Sequence, residues 1–245
     1  MAPSYDPDFF LITSMAYIAA GPAQYSEYDL HIDRLHQAHL TLARLEPDSW
    51  CAHNEPMDGD LIRQQLRKKF MDLEVNSRLR VKVGPYMRPG VEVFPLDPMP
   101  YYPVKLVLDY QPTEYEGDPF MFVKTTERKK YDQARERAEA TLWPSDDPEC
   151  APFDVILFNP KNEITETSIS NIAFKFSPSD TQWITPSLSS GLLAGVRRGE
   201  LLKKGEIREE VVTKDRVIEA AREGTLKVIC FNGVRGVFET FLDLD

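Results

Sequence analysis

The sequence is poor in the features that would make it a disulfide scaffold, a metal protein, a membrane protein or a nucleic-acid binder. Cysteine is scarce: Cys51, Cys150 and Cys230 stand far apart and fit no CxxC or Cys/His ligand spacing. That excludes a disulfide framework or a zinc site as the organising element and leaves reduced thiols as the plain reading. Basic residues fall short of acidic ones, 29 against 39, for a formal net charge of -10. Phosphate backbones and anionic lipids select a basic face, so neither nucleic acid nor membrane is an expected partner. A local basic pocket for a small anion stays open. No apolar run approaches the ~18 residues of a membrane span. The N-terminal stretch lacks the basic flank of a signal peptide, because Asp6 and Asp8 occupy that place. The expectation is a soluble, cytoplasmic protein.

Core-forming residues are plentiful. Of 245 residues 42% are apolar and 28% charged, which predicts an ordered chain rather than a disordered one. Phe9–Ala19 is rich in β-branched and aromatic residues and reads as a buried strand. Leu30, Leu35, Ala38, Leu42 and Leu45 then recur at three-to-five-residue spacing, which predicts a helix, and a second helix is expected over Asp60–Asp72. Strands follow at Ser77–Met87 and Gly90–Leu96, with Arg88, Pro89 and Gly90 as the turn, and again at Pro103–Tyr110. Residues 1–110 thus form a small α+β domain. The polar, Pro- and Gly-broken segment 111–119 is the expected linker, and residues 120–245 form a larger domain. That domain opens on an apolar, strand-like run ending at Lys124, continues with a charged helix from about Glu127 to Leu142, and then alternates strands with helices near Gly195–Lys203 and Asp215–Glu223.

Four pieces carry chemistry. Lys124 closes the apolar run Phe120–Val123; desolvation there would favour a nucleophilic amine, while a solvated charge at a strand end is the plainer alternative. Glu166 and Asn171 flank a Ser/Thr-rich bend between apolar strands, where a carboxylate needs a partner. In the segment from Trp183 to Leu202, a glycine-rich turn with Gly191, Gly195 and Gly199 leads into a helix start, a ready anion site that Arg197 and Arg198 would reinforce. Arg34 lies on the first helix, where a surface arginine is the plain alternative.

Taken in order and spacing, these pieces resemble the class IV aminotransferase family, the fold-type-IV pyridoxal-phosphate enzymes, which includes branched-chain and D-amino acid aminotransferases and 4-amino-4-deoxychorismate lyase. The family's H-x-x-R-L is matched by His31, Arg34 and Leu35. Its cofactor lysine is matched by Lys124, and its N-x-x-x-x-(V/I)-T-E-x-x-x-x-N-(I/L) block by Asn159, Ile164, Thr165, Glu166, Asn171 and Ile172. The final block is matched by Thr185, Pro186, Leu188, Gly191, Leu193, Gly195 and Arg198.

The resemblance implies a two-domain α+β / α/β fold whose larger C-terminal domain is barrel-like with helices. It implies a homodimer acting on a small amino substrate, with pyridoxal 5'-phosphate and no metal. Lys124 would hold the cofactor as a Schiff base and move protons. Glu166 would face the ring nitrogen, and Arg34 with the N–H groups of Val196 and Arg197 would take the phosphate. Asn171, Gly195, Asn232 and Gly233 complete the implied cofactor set. Two departures stand out: Arg197 and Gly233 occupy places where many relatives carry hydroxyl residues, so Arg197 could reach a substrate carboxylate instead. Arg128, Tyr131 and Arg235 are the remaining substrate candidates; Tyr131 is equally explained as core packing. The stretch KTTERKKYDQAR looks most like the aminodeoxychorismate lyase-like members. The leading expectation is conversion of 4-amino-4-deoxychorismate to 4-aminobenzoate and pyruvate, with an aminotransferase for branched-chain or D-amino acids or amines as the alternative.

Overall fold

Strict alternation of buried and half-buried residues marks the middle strand of the N-terminal sheet, Ser77–Val83. In the computed structural model, which describes residues 5–19, 25–97, 102–145, 147 and 149–244, strand β1 (Leu11–Tyr17) pairs antiparallel with β2 (Ser77–Val83), and β2 with β3 (Gly90–Pro95). Leu11, Met15, Leu79, Val81 and Val83 turn to one face, as the two-residue strand period requires. Helix α1 (Tyr25–Leu45) meets that face with Ile32, Leu35, Ala38 and Leu42, and α2 (Gly59–Met71) adds Ile62 and Leu66. The Asp58 carboxylate caps α2 by accepting from the Asp60 and Leu61 amides. At one end of this core the Phe9 ring lies 5.3 Å from Trp50 and 5.0 Å from Phe120, and the Trp50 indole donates to the Phe9 carbonyl.

The turn between β2 and β3 falls earlier than the Arg88–Pro89–Gly90 expected. It is closed by the Met87 amide on the Gly84 carbonyl, with Met87 at φ 54°, and Gly90 already belongs to β3. The charged helix expected to reach Leu142 is also shorter: α3 spans Lys129–Arg137. Glu139 takes a positive φ of 51°, and the Ala140 amide returns to the Arg135 carbonyl, a left-handed closure that stops the helix.

The second sheet has eight strands in the order β6-β5-β4-β11-β10-β7-β8-β9. These are β4 (Val104–Leu108), β5 (Asp154–Phe158), β6 (Ile164–Thr167), β7 (Asn171–Lys175), β8 (Trp183–Pro186), β9 (Ile207–Glu210), β10 (Lys227–Asn232) and β11 (Gly236–Asp243). The sheet curls, bringing β6 near β7 and β8. Helix α4 (Val196–Lys203) follows β8, and α5 (Lys214–Arg222) follows β9. Leu106, Ile156, Phe158, Ile172, Phe174, Val217 and Cys230 lie in its main core.

The chain divides into two compact units, residues 1–97 with 119–128, and residues 98–118 with 129–245. This differs from the boundaries at 110 and 119 read from the sequence. β4 is a parallel partner of both β11 and β5, so its ladder hydrogen bonds place it in the second unit. Residues 119–128 return to the first unit, where they pair with β1. Among the described residues no helix is long and apolar enough to cross a membrane, and no group of His, Cys, Asp and Glu gathers as metal ligands would.

Candidate functional site

In the first unit Lys124 does not end a strand. Pro119–Met121 form a single 3-10 turn, and the chain then runs beside the start of β1. The Ile12 amide donates to the Lys124 carbonyl at 2.9 Å, the Thr126 amide to the Phe10 carbonyl at 2.9 Å, and Leu11 bridges Thr125. This antiparallel pairing sets Lys124 opposite Ile12, which in turn lies opposite Lys82 on β2. Residues directly opposite in such a ladder share a face, so Lys124, Ile12 and Lys82 form one rank and Ser14 and Arg80 belong to the next. Lys124 is half-buried.

Arg34 sits on α1 one turn after His31, on the side facing β1. Its guanidinium donates to the Thr13 hydroxyl, which lies 2.7 Å from His31 Nδ1. Burial lowers the Arg34 pKa to about 10. Burial, reinforced by the charges of Arg34 and Lys124, lowers that of His31 to about 3. Arg34 Nε is buried without an acceptor, and among the described residues no carboxylate pairs with this side chain.

A cationic row lies on the sheet face opposite the core. Arg78, Arg80 and Lys82 alternate with Leu79, Val81 and Val83 along β2. The Phe94 ring stands 4.5 Å from the Arg78 guanidinium and 5.3 Å from that of Arg80. Glu92 reaches Lys82 at 3.1 Å and Arg80 at 3.9 Å. The Nε atoms of both arginines are buried without partners, and desolvation together with Arg80 lowers the pKa of Arg78. The alternation R-L-R-V-K-V is visible in the sequence, where it marks the strand without marking its polar face as a site.

In the second unit Glu166 is buried on β6, a short strand that leads into the Ser/Thr-rich bend expected from the sequence. Its Oε1 accepts from the Tyr131 hydroxyl at 2.7 Å and from the Leu193 amide at 3.0 Å; its Oε2 accepts from the Asn171 side-chain amide at 3.2 Å. Asn171 also donates to the Leu193 carbonyl. Asn171 therefore positions the carboxylate, and Tyr131, a sequence candidate for substrate, has its hydroxyl on Glu166. Next to them Tyr115 hydrogen-bonds Thr165 at 2.7 Å, and desolvation followed by the Glu166 charge raises its pKa well above the usual phenol value. Tyr115 lies in the supposed linker, and nothing in its local sequence marks it.

Gly195 is the N-cap of α4 and offers no side-chain cap, so the amides of the first turn, including those of Val196 and Arg197, point out of the helix unclaimed by a capping side chain. Glycine is needed there for close approach rather than for its φ of -69°: a Cβ would fall 2.1 Å from Asn171 Oδ1. The two arginines that follow are both engaged. Arg197 pairs with Glu200 at 3.1 Å within its own helix, and Arg198 turns inward to Glu209 and the Pro186 carbonyl. Arg198 thus closes the fold instead of reinforcing an anion site. The Asn232 side chain shapes the turn between β10 and β11, accepting from the Val234 and Arg235 amides and donating to Ser170. Gly233 is in that turn, and the Arg235 guanidinium stands 5.2 Å from the Phe153 ring. Arg128 is half-buried at the end of the first unit.

The donors and charges suit distinct tasks. Arg34 in the first unit and the start of α4 in the second each carry positive character suited to an anion, and the Glu166 carboxylate suits a protonated heterocyclic nitrogen.

A family model described as amino-transferase class IV matches residues 13–238. A Schizosaccharomyces pombe protein named as a candidate aminodeoxychorismate lyase is 32% identical over 179 residues, which cover 72% of this chain and 71% of that one. Among solved structures, a candidate amino-acid aminotransferase of Mesorhizobium loti superposes with a TM-score of 0.77 at 24% identity, covering 96% of this chain and 100% of its own. The 4-amino-4-deoxychorismate lyase of Pseudomonas aeruginosa superposes with a TM-score of 0.67 at 20% identity, covering 97% and 84%.

Proposed function

Because the chain belongs to the class IV aminotransferase family, whose members are pyridoxal-phosphate enzymes, we propose that it is a cytoplasmic, homodimeric lyase converting 4-amino-4-deoxychorismate to 4-aminobenzoate and pyruvate for folate precursor synthesis. The observation that carries this reading is the relative named for that activity, 32% identical across 72% of the chain.

The residues fit the cofactor on two local grounds. Arg34 keeps a desolvated guanidinium whose Nε has no acceptor, and α4 begins without a side-chain cap. Arg34 and the amides of Val196 and Arg197 are assigned to the phosphate, Lys124 to the aldehyde carbon, and Glu166 to the ring nitrogen. When bound, pyridoxal phosphate supplies an electron sink for charge that develops beside the substrate nitrogen. Glu166, held by Tyr131, Asn171 and the Leu193 amide, keeps a proton on the ring nitrogen. The Lys124 amine takes the proton from the substrate ring carbon that bears the amino group. Loss of that proton, with cleavage of the ether C–O bond, expels enolpyruvate and leaves an aromatic ring; the enolpyruvate is then protonated on carbon to pyruvate. The substrate carries two carboxylates, and Arg78 and Arg80, neighbours on one face of β2, are the cations assigned to them.

The second reading, an aminotransferase for branched-chain or D-amino acids or amines, rests on the description of the family model itself. Purified holoenzyme is given aminodeoxychorismate with no keto acid present. Release of pyruvate and 4-aminobenzoate in equal amounts supports the lyase. Turnover that appears only with an amino donor and a keto-acid acceptor overturns it in favour of transamination. Lys124→Ala in the same assay loses at least about a thousandfold in rate, together with the visible absorbance band, as expected for a covalent-catalysis residue.

A further inference from the structure

His31 is a buried titratable group that the proposed chemistry does not use, and its surroundings give it a task. We propose that Thr13 and His31 form a positioning relay that aims the Arg34 guanidinium at the cofactor phosphate while leaving its charge un-neutralised. The inference rests on the pyridoxal-phosphate reading above.

Donor capacity places the proton between Arg34 and Thr13, and the proposal assigns the one between Thr13 and His31. A guanidinium only donates, so the Thr13 oxygen accepts from Arg34. The Thr13 oxygen has one hydrogen and two lone pairs, and the relay assigns that hydrogen to the 2.7 Å contact with His31 Nδ1. His31 is therefore the acceptor at Nδ1 and carries its proton on Nε2. A neutral imidazole is required, in agreement with a pKa lowered to about 3 by burial and by the Arg34 and Lys124 charges. The i, i+3 spacing puts His31 and Arg34 on one face of α1, and Leu35 anchors that turn in the core. A carboxylate at position 13 would hold the arginine equally well but cancel its charge. A hydroxyl fixes direction and leaves the positive charge, with its buried Nε, for an arriving dianion.

The test compares pyridoxal phosphate with pyridoxal, which shares the ring and aldehyde but lacks the phosphate. Dissociation constants are measured on the full chain stripped of cofactor, for wild type, Thr13→Val and Thr13→Ser. In Thr13→Val, pyridoxal phosphate should bind about tenfold more weakly or worse, with pyridoxal unchanged. Thr13→Ser should restore both values to within about twofold of wild type. Equal losses for both ligands, or no loss for either, overturn the relay. Failure of wild type to bind pyridoxal phosphate at all sinks the underlying cofactor reading instead, and the relay with it. Should Thr13→Val not fold, nitrogen-15 NMR of the wild-type protein decides: an unprotonated His31 Nδ1 supports the relay, and a protonated Nδ1 overturns it.

Discussion

The two units treat their desolvated arginines differently. In the eight-stranded unit three of them meet carboxylates: Arg135 meets Asp154 at 3.2 Å, Arg137 meets Asp109 at 2.6 Å, and Arg198 meets Glu209. In the three-stranded unit Arg80 has Glu92 at 3.9 Å, but Arg34 meets only a threonine hydroxyl; an Nε without an acceptor occurs in both units, at Arg34 and at Arg198. Taking a guanidinium out of water costs several kcal/mol unless something compensates it. Where the chain itself supplies the acid, the arginine completes the fold. Where it supplies only a neutral acceptor, the compensation is left to a bound anion. A buried arginine is thus read by its partners rather than by its burial.

The largest expected effect breaks or upholds that contrast directly. Asp154 accepts from Arg135, from the Val155, Ser168 and Ile169 amides and from the Ser168 hydroxyl. Asp154→Ala removes the acceptor of all five donors in the interior and should cost about 3–5 kcal/mol in urea unfolding. Arg34→Leu, measured without cofactor, should change stability by under about 1 kcal/mol, because it removes a charge that nothing in the chain neutralises. Comparable losses in the two variants would erase the distinction.

Much of this contrast lies beyond what the sequence makes legible. Periodicity located β1, α1, α2 and β2, because one face of each is buried against a single core. It failed at Phe120–Val123, where a short apolar run without alternation forms a 3-10 turn, and at β4, whose membership is decided by partners in β5 and β11 that are distant in sequence. Motif spacing marked Arg34, Lys124, Glu166 and Asn171, since those residues stand at fixed intervals within one element or across one turn. It could not reveal that Tyr131 donates to Glu166 across 35 residues, nor that Arg198 turns inward while Arg197 stays on its helix. Thr13 is one unremarkable β-branched residue in a strand, and only its two hydrogen bonds single it out.

Helix α4 sharpens the comparison at the level of a single methyl group, because its start is packed from behind and its middle is open. A Cβ on Gly195 would lie 2.1 Å from the Asn171 oxygen, whereas one on Gly199 meets nothing within 4 Å. Gly195→Ala should therefore cost about 1–3 kcal/mol by overpacking and disturb the Asn171 bond to Glu166. Gly199→Ala should stabilise by roughly 0.5–1 kcal/mol through helix propensity. Thermal unfolding of both variants gives the signs. Two changes of the same sign would mean that the packing behind the helix start is looser than the Asn171 contact implies.

The smallest effect tests whether burial is needed for the contrast at all. Arg208 pairs with Glu210 at 2.6 Å, closer than Arg135 to Asp154, yet its side chain is 49% exposed and that of Glu210 33% exposed. Water can replace the partner on either side, and salt screens the attraction, so Arg208→Ala should change stability by less than about 0.5 kcal/mol. Its dependence on salt should be equally slight. Distance alone would rank this pair above Arg135–Asp154; desolvation ranks it far below. If urea unfolding placed the two variants together, the number of stranded donors would not be what separates an arginine that holds the fold from one that waits for an anion.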